Sequence, residues 1–320
     1  MEIFEKVTAP GFKGAIFGGI VDDAYHAGPG ISSSGLKEIA RTPLHYWEKY
    51  INPDHERKED SAVFALGKAI HAAILEPERF ANEYIAEPLP SDLPDHLNSL
   101  TDYKDMAKEL SLKGVSTLNK PELKAALLGV NPDLKFFDDA FAEITQGKKI
   151  IKPEHMDSCE NIAGKVRENK AARFLLKDGQ AEQSVYWVDE VTGVLCRVRP
   201  DYLSSVACLD VKSTEDASKE AFERSIWNYG YYISAAFYLD GIKAVMGIDM
   251  PFVFIAWEKF APNAVAFYAA DEDMIAIGRR EYRRLLNIYA ECQRKGQWPG
   301  YPEAIQPIGL PEFAQRKLER

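Results

Sequence analysis

The chain predicts a mixed α/β (α+β) fold, a central β-sheet flanked by helices, on three observations. Runs rich in Val, Tyr, Trp and Leu at 183–188, 194–199 and 205–211 follow one another with turn residues between them, the pattern of successive strands. Two further β-prone runs, 251–259 and 264–270, are joined at Pro262-Asn263 and complete a mixed sheet. Segments of helical period at 153–177, 217–240 and 271–296 are spaced among these strands, so helices are available to cover the sheet. With 320 residues and 46% apolar content the chain can bury a large core, long for one domain and short for three.

Taken in order, residues 1–30 read as irregular, with six glycines and Pro29. Ser33 or Ser34 then caps a helix to about Arg41, where Thr42-Pro43 stops it. A second helix starts near Pro43 and carries Tyr46, Trp47 and Tyr50, read as core aromatics. Residues 61–76 form an apolar helix with His71 four residues after Gly67, and such a histidine is ordinarily packed or hydrogen-bonded. Pro88, Pro90 and Pro94 mark 86–100 as a linker or surface loop. Short helices at 103–112, 121–128 and 134–146 form an insertion on the core. Residues 153–177 form a long helix or a pair, with Ile162, Val166, Ala171 and 174–176 as the apolar side. The helix at 217–240 turns Phe222, Ile226, Tyr229, Tyr232, Ala236 and Tyr238 inward; Ser213 or Thr214 caps it or donates to a phosphate. The last helix, 271–296, is acidic at its start and basic later, which suits the helix dipole. The tail, with Trp298, Pro299, Pro302, Pro307 and Pro311, is extended. The expected division is 1–85 (N-terminal helical part), 86–150 (helical insertion), 151–296 (core) and 297–320 (tail).

The chemistry concentrates in 182–212. Asp189, Glu190, Thr192 and Gly193 punctuate a hairpin between the first two core strands, and Arg199-Pro200-Asp201 ends the second. Nine residues after Asp201 comes Asp210-Val211-Lys212, at the end of a nearly all-apolar strand. In a strand Asp210 and Lys212 share a face, while the Val211 carbonyl is available at the same edge. If the hairpin brings Asp201 alongside, two carboxylates, a carbonyl and an ammonium converge. Two buried carboxylates repel each other at a cost of several kcal/mol unless a cation lies between them. A hard divalent ion such as Mg²⁺ takes such oxygen ligands and keeps some water. Metal-activated water beside a lysine suits phosphodiester hydrolysis.

Pro200-Asp201 followed by Asp210-Val211-Lys212 resembles the signature of the PD-(D/E)XK nuclease superfamily, and the wider chain resembles its exonuclease VIII family. The resembling stretches run from Tyr25-His26 through Gly30–Lys37 and Pro43–Tyr46, then Ala65–His71 with its G-x-x-x-H spacing, and Tyr229–Gly241 after the lysine. The resemblance implies a restriction-endonuclease-like core and a Mg²⁺-dependent exonuclease, with Mn²⁺ able to substitute. It implies Asp201, Asp210 and Val211 as ligands, His71 as a further ligand, Glu182 at or beside the metal site, and Lys212 placing the attacking water. Ser33, Lys37, Ser213 and Thr214 are the implied DNA contacts. The implied substrate is linear double-stranded DNA, cut from 5′ ends to leave 3′ tails, by a ring-forming homo-oligomer working with a single-strand annealing protein. One departure stands out: the family's glutamine four residues before the helix tyrosine is Ser234 here, before Tyr238.

Two other readings remain: a DNA-end binding or scaffold module with reduced catalysis, and a restriction-type endonuclease. Net charge is −10 overall, but 151–320 hold 22 basic and 25 acidic residues, so that part is only −3. Basic clusters at Lys148, Lys149 and Lys152, at Lys165, Arg167, Lys170 and Arg173, and at Arg279, Arg280, Arg283 and Arg284 read as solvated helix faces or as parts of a DNA channel. Cys159, Cys196, Cys208 and Cys292 form no C-x-x-C pair, which argues against zinc. Relatives among helicase-associated nucleases hold an iron–sulfur cluster with four cysteines, but Cys196 and Cys208 read better as buried apolar residues. No apolar run is long enough to span a membrane and the N-terminus lacks a signal pattern, so a cytoplasmic protein is expected.

Overall fold

The computed structural model describes residues 2–56, 62–115 and 117–310; the expected helix start at Ser61 and the tail beyond 310 lie outside them. Before the insertion the chain forms α1 (Glu2–Thr8), β1 (Gly14–Phe17), α2 (Asp22–Ala27), α3 (Ser33–Arg41), α4 (Pro43–Tyr50), α5 (Ala62–Leu75), α6 (Pro77–Glu83) and β2 (Tyr84–Ala86). There follow α7 (Leu100–Glu109), α8 (Lys120–Val130), α9 (Phe137–Thr145), β3 (Lys149–Ile151), α10 (Pro153–Glu168) and α11 (Lys170–Leu175). The rest comprises β4 (Gly179–Ala181), β5 (Ser184–Val188), β6 (Leu195–Val198), β7 (Tyr202–Ser204), β8 (Cys208–Thr214), α12 (Lys219–Asn228), α13 (Tyr231–Met246), β9 (Phe252–Glu258), β10 (Val265–Ala269) and α14 (Glu272–Lys295).

The strands make a five-stranded mixed sheet in the order β10-β9-β8-β7-β4, with a separate antiparallel sheet β1-β5-β6. Only β8 and β9 of the large sheet run parallel, and α12 and α13 supply the crossover that parallel neighbours require. Alternation along the central strands sends side chains into two cores. Cys208, Phe252, Phe254 and Ala256 pack with Ile233, Phe237 and Leu285 of α13 and α14. Leu209, Val211, Val253 and Ile255 pack with Ile70 and Ala73 of α5 and with Ile162 and Val166 of α10. Each such fully buried aliphatic or aromatic side chain contributes about 1.5–3 kcal/mol. Cys196 and Cys208 are buried core residues of β6 and β8.

Several expectations are corrected. Residues 1–30 are not irregular: β1 pairs antiparallel with β5, Gly14 opposite Trp187, and a Cβ on Gly14 would lie 2.9 Å from Val245. The cap of α3 is Ser32, whose Oγ accepts from the Gly35 N–H at 3.2 Å, so neither Ser33 nor Ser34 serves. The helix expected at 217–240 is two helices, because Gly230 adopts φ +62° between them, a left-handed conformation that glycine takes without steric cost. Neither Ser213 nor Thr214 caps α12; the Asp216 carboxylate accepts from the Ser218 N–H at 2.7 Å there. The hairpin β5–β6 belongs to the smaller sheet. Asp201 is delivered instead at the start of β7, which pairs with β8; β7 and β4, of three residues each, are additions to the strands expected from the sequence.

Residues 97–136 bury a small cluster of their own around Tyr103, Leu123, Leu127 and Phe136, and β2 pairs with β3 on either side of that stretch. In the tail, Trp298 stacks on Tyr46 at 5.3 Å and the Leu44 N–H donates to the Pro299 carbonyl, while 301–310 are exposed. No helix among the described residues is long and apolar enough to cross a membrane.

Candidate metal and catalytic centre

Register builds the site. Ala181 of β4 pairs with Tyr202 of β7, and Tyr202 pairs with Leu209 of β8. One step further along each strand lie Glu182, Asp201 and Asp210, a row across three neighbouring strands. Directly opposed residues present their side chains to one face. The Glu182 N–H donates to the Asp201 carbonyl at 3.2 Å, extending the pairing into the row. Glu182 itself has φ +54°, a left-handed backbone that costs a non-glycine residue on the order of 1 kcal/mol.

Lys212, two residues after Asp210, places Nζ 2.7 Å from Asp210 Oδ1, with 6% of the aspartate side chain exposed. Asp201 Oδ2 accepts from the Val211 N–H at 2.6 Å. From α5, His71 donates through Nε2 to the Val211 carbonyl at 3.0 Å. That bond leaves Nδ1 facing Asp201 Oδ2, 3.7 Å away. One nitrogen of His71 and one oxygen each of Glu182 and Asp201 lie within 4.8 Å of one another. Nδ1 and the two carboxylates crowd one small volume, and a proton or a cation between them relieves that crowding. A nitrogen and two carboxylates at this separation therefore fit a divalent ion.

The electrostatics point the same way. Burial, then the charge of Asp201, pushes Glu182 up to about 8. Burial also raises Asp210, against the pull of Lys212 and with the charge of Asp201 adding to it. Asp201 moves down: burial opposes this, but His71, Lys212 and the Val211 N–H outweigh it. Lys212 moves up despite burial, because Asp210 and Asp201 hold its proton.

Glu182, Asp201, Asp210, Val211, Lys212 and His71 are thus brought together. His71, Glu182 and Asp201 form the most compact group of side-chain donors, with Asp210, paired to Lys212, and the Val211 carbonyl beside them. Of the expected DNA contacts, Lys37 faces the site, its ammonium 5.8 Å from the Tyr231 ring centre, and Ser213 is exposed. Ser33 is buried in hydrogen-bond contact with Tyr238, and the Thr214 hydroxyl donates to the Asp216 carbonyl at 2.9 Å; neither is free for a phosphate. The basic clusters are largely committed to structural partners: Arg279 to Asp240, Arg283 to Asp189, Arg284 to Glu281, and Lys165 to the carbonyls of Pro262 and Asn263.

Three residues that the sequence did not single out also line the site: Arg199, Asp22 and Tyr231. Arg199 is buried, lies 3.8 Å from Glu182 Oε2 and 3.2 Å from Asp22 Oδ1, and is bonded to Ser184 Oγ. Two arginines at alternate positions of an apolar strand, Arg197 and Arg199, were the available signal, since buried guanidinium needs partners. Nothing in the sequence marked Asp22.

The mixed sheet with its parallel β8–β9 pair, the helical crossover and the acid row leading to Lys212 make this a PDDEXK-like nuclease fold. The model of the family described as "PDDEXK-like domain of unknown function (DUF3799)" matches residues 32–310, and the chain belongs to that family. No curated protein matches the chain. A crystal structure from Eubacterium rectale described as a "putative exonuclease" is similar, at 13% identity and a TM-score of 0.49, over 89% of this chain and 96% of that one.

Proposed function

We propose that this chain is a divalent-metal-dependent exodeoxyribonuclease acting on linear double-stranded DNA in the manner of the exonuclease VIII family. The observation that carries the hydrolytic reading is the row Glu182–Asp201–Asp210 with His71 across it and the Lys212 ammonium 2.7 Å from Asp210. Duplex substrate, 5′-to-3′ direction, 3′-tailed product, ring assembly and an annealing partner are supported by the resemblance in sequence. Mg²⁺ is the proposed ion, with Mn²⁺ substituting because His71 offers nitrogen.

His71, Glu182 and Asp201 would hold the ion, with Asp210 and the Val211 carbonyl beside them. When bound, such an ion supplies Lewis acidity at the phosphate and lowers the pKa of a ligated water. The chain's own groups do the rest. The Val211 N–H and the Arg199 guanidinium fix the carboxylates of Asp201 and Glu182, so little reorganisation is needed as charge develops. Lys212 donates hydrogen bonds that orient the attacking water and meet the growing negative charge of the phosphate. Lys37 adds a second positive charge on the same side.

Ser234 favours the second reading, a DNA-end binding module with reduced catalysis. It is buried on α13, where the family's longer amide would reach further. Mg²⁺-dependent release of nucleotides from linear duplex, compared between wild type and Asp210→Ala, separates the two. Release by wild type, on the order of 10²-fold or more above the variant, supports the enzyme; equal absence of release in both supports the module. Closed circular duplex is expected to survive, and its cleavage would point to an endonuclease.

A further inference from the structure

The corner between α12 and α13 displays aromatic rings that the nuclease reading leaves unused. Tyr229 ends α12, is 63% exposed, and precedes the left-handed Gly230 that turns the chain. Its ring stacks on Tyr231 at 5.6 Å and 28°. Tyr231 is backed by Phe222 and Phe254, and its ring has the Lys212 ammonium at 5.4 Å and that of Lys37 at 5.8 Å. One ring-to-ring step and one cation-to-ring step therefore join an exposed aromatic face to two site lysines. A nucleotide has a matching layout, an anionic phosphate joined by a short sugar to a flat base, and bases of every kind stack on aromatic side chains.

Building on the nuclease reading, we propose that Tyr229 is the stacking platform for the terminal nucleobase of a DNA strand whose scissile phosphate is held by Lys37 and Lys212. The occupant is set by charge and shape: cations on the inner ring select a phosphate, and the exposed outer ring accepts a base without regard to sequence. Trp227 is a built-in control. It is 68% exposed and stacked on Tyr232 at 5.4 Å, but the charged neighbours of Tyr232 are Glu281 and Arg284, which pair with each other.

The test is equilibrium binding of duplex oligonucleotides carrying 2-aminopurine at the 5′ or the 3′ terminus, with Ca²⁺ replacing Mg²⁺, read by fluorescence alongside digestion in Mg²⁺. Wild type and Trp227→Ala are expected to quench the probe at one of the two ends. Tyr229→Ala is expected to lose the quench and to bind on the order of tenfold more weakly, and Tyr229→Phe, which keeps the ring, is expected to retain both. Unquenched probe at both ends in wild type, unchanged quenching in Tyr229→Ala, or equal loss in Trp227→Ala overturns the proposal. If digestion persists in any of those cases, only the stacking role falls. If wild type neither binds nor digests DNA, the nuclease reading falls and takes the platform with it.

Discussion

Replacing Lys212 by alanine removes the ammonium 2.7 Å from Asp210 while leaving the metal-binding candidates in place. The expected outcome is retained binding of metal and DNA with single-turnover hydrolysis slowed on the order of 10²–10⁴-fold; loss of binding in the same variant would contradict a role confined to the reacting water. Glu38 offers a test away from the site. Burial would raise its carboxyl, but hydrogen-bonded ion pairs with Lys49 at 2.8 Å and Arg41 at 2.9 Å outweigh this and lower it. A lowered carboxylate contributes stability above its unfolded pKa and loses it as pH falls through the folded value. Glu38→Gln is therefore expected to cost about 1 kcal/mol or less near neutrality, with the difference in urea unfolding closing in acid. Among single residues, Asp210 and Lys212 were legible because strand periodicity fixes which side chains share a face, and Asp201 because Pro200-Asp201 precedes them at the spacing of the signature. Arg199, Asp22 and Tyr231 were not, because their relevance arises from partners far apart in the chain; Asp22 and Arg199 are 177 positions apart.

At the scale of elements, long and strongly periodic segments were readable and short ones were not. The strands β4 and β7, each of three residues, contain too few positions to show alternation, although they carry two of the three acids into register. The β5–β6 hairpin was legible from its turn, where Asp189 Oδ2 accepts from both the Thr192 N–H and hydroxyl, but its sheet partner β1 was hidden among glycines. The break between α12 and α13 is hidden in the sequence because apolar residues at helical spacing, from Phe222 through Tyr229 to Tyr238, continue across Gly230. The packing of α13 on α14 depends on a close approach at Gly278, where a Cβ would lie 2.1 Å from the Tyr232 carbonyl oxygen. Backbone cannot yield as a flexible side chain can, so Gly278→Ala is expected to destabilise the protein by about 1–3 kcal/mol. Urea denaturation checks this, and an unchanged midpoint would mean that the helices separate freely.

For the whole molecule, a charge of −10 is ill suited to DNA, so the proposed substrate has to be met by local rather than total charge. Much of the basic surface is paired with neighbouring acids, while Lys37 and Lys212 stand together at one acidic centre. A ligand that binds only the native protein raises its melting temperature, so Mn²⁺ or Mg²⁺ is expected to raise the wild-type midpoint. Glu182→Gly should abolish that response while melting no lower than wild type in chelator, as followed by circular dichroism. Glu182 stands where its own backbone would be better served by a residue without a side chain, given φ +54°, and its carboxylate is crowded by Asp201. Selection for folding alone would drift this position toward glycine. A population of sequences evolving under loss of activity should therefore replace it early, ahead of Asp210, whose backbone lies in a regular strand, and become slightly sturdier as it ceases to cut.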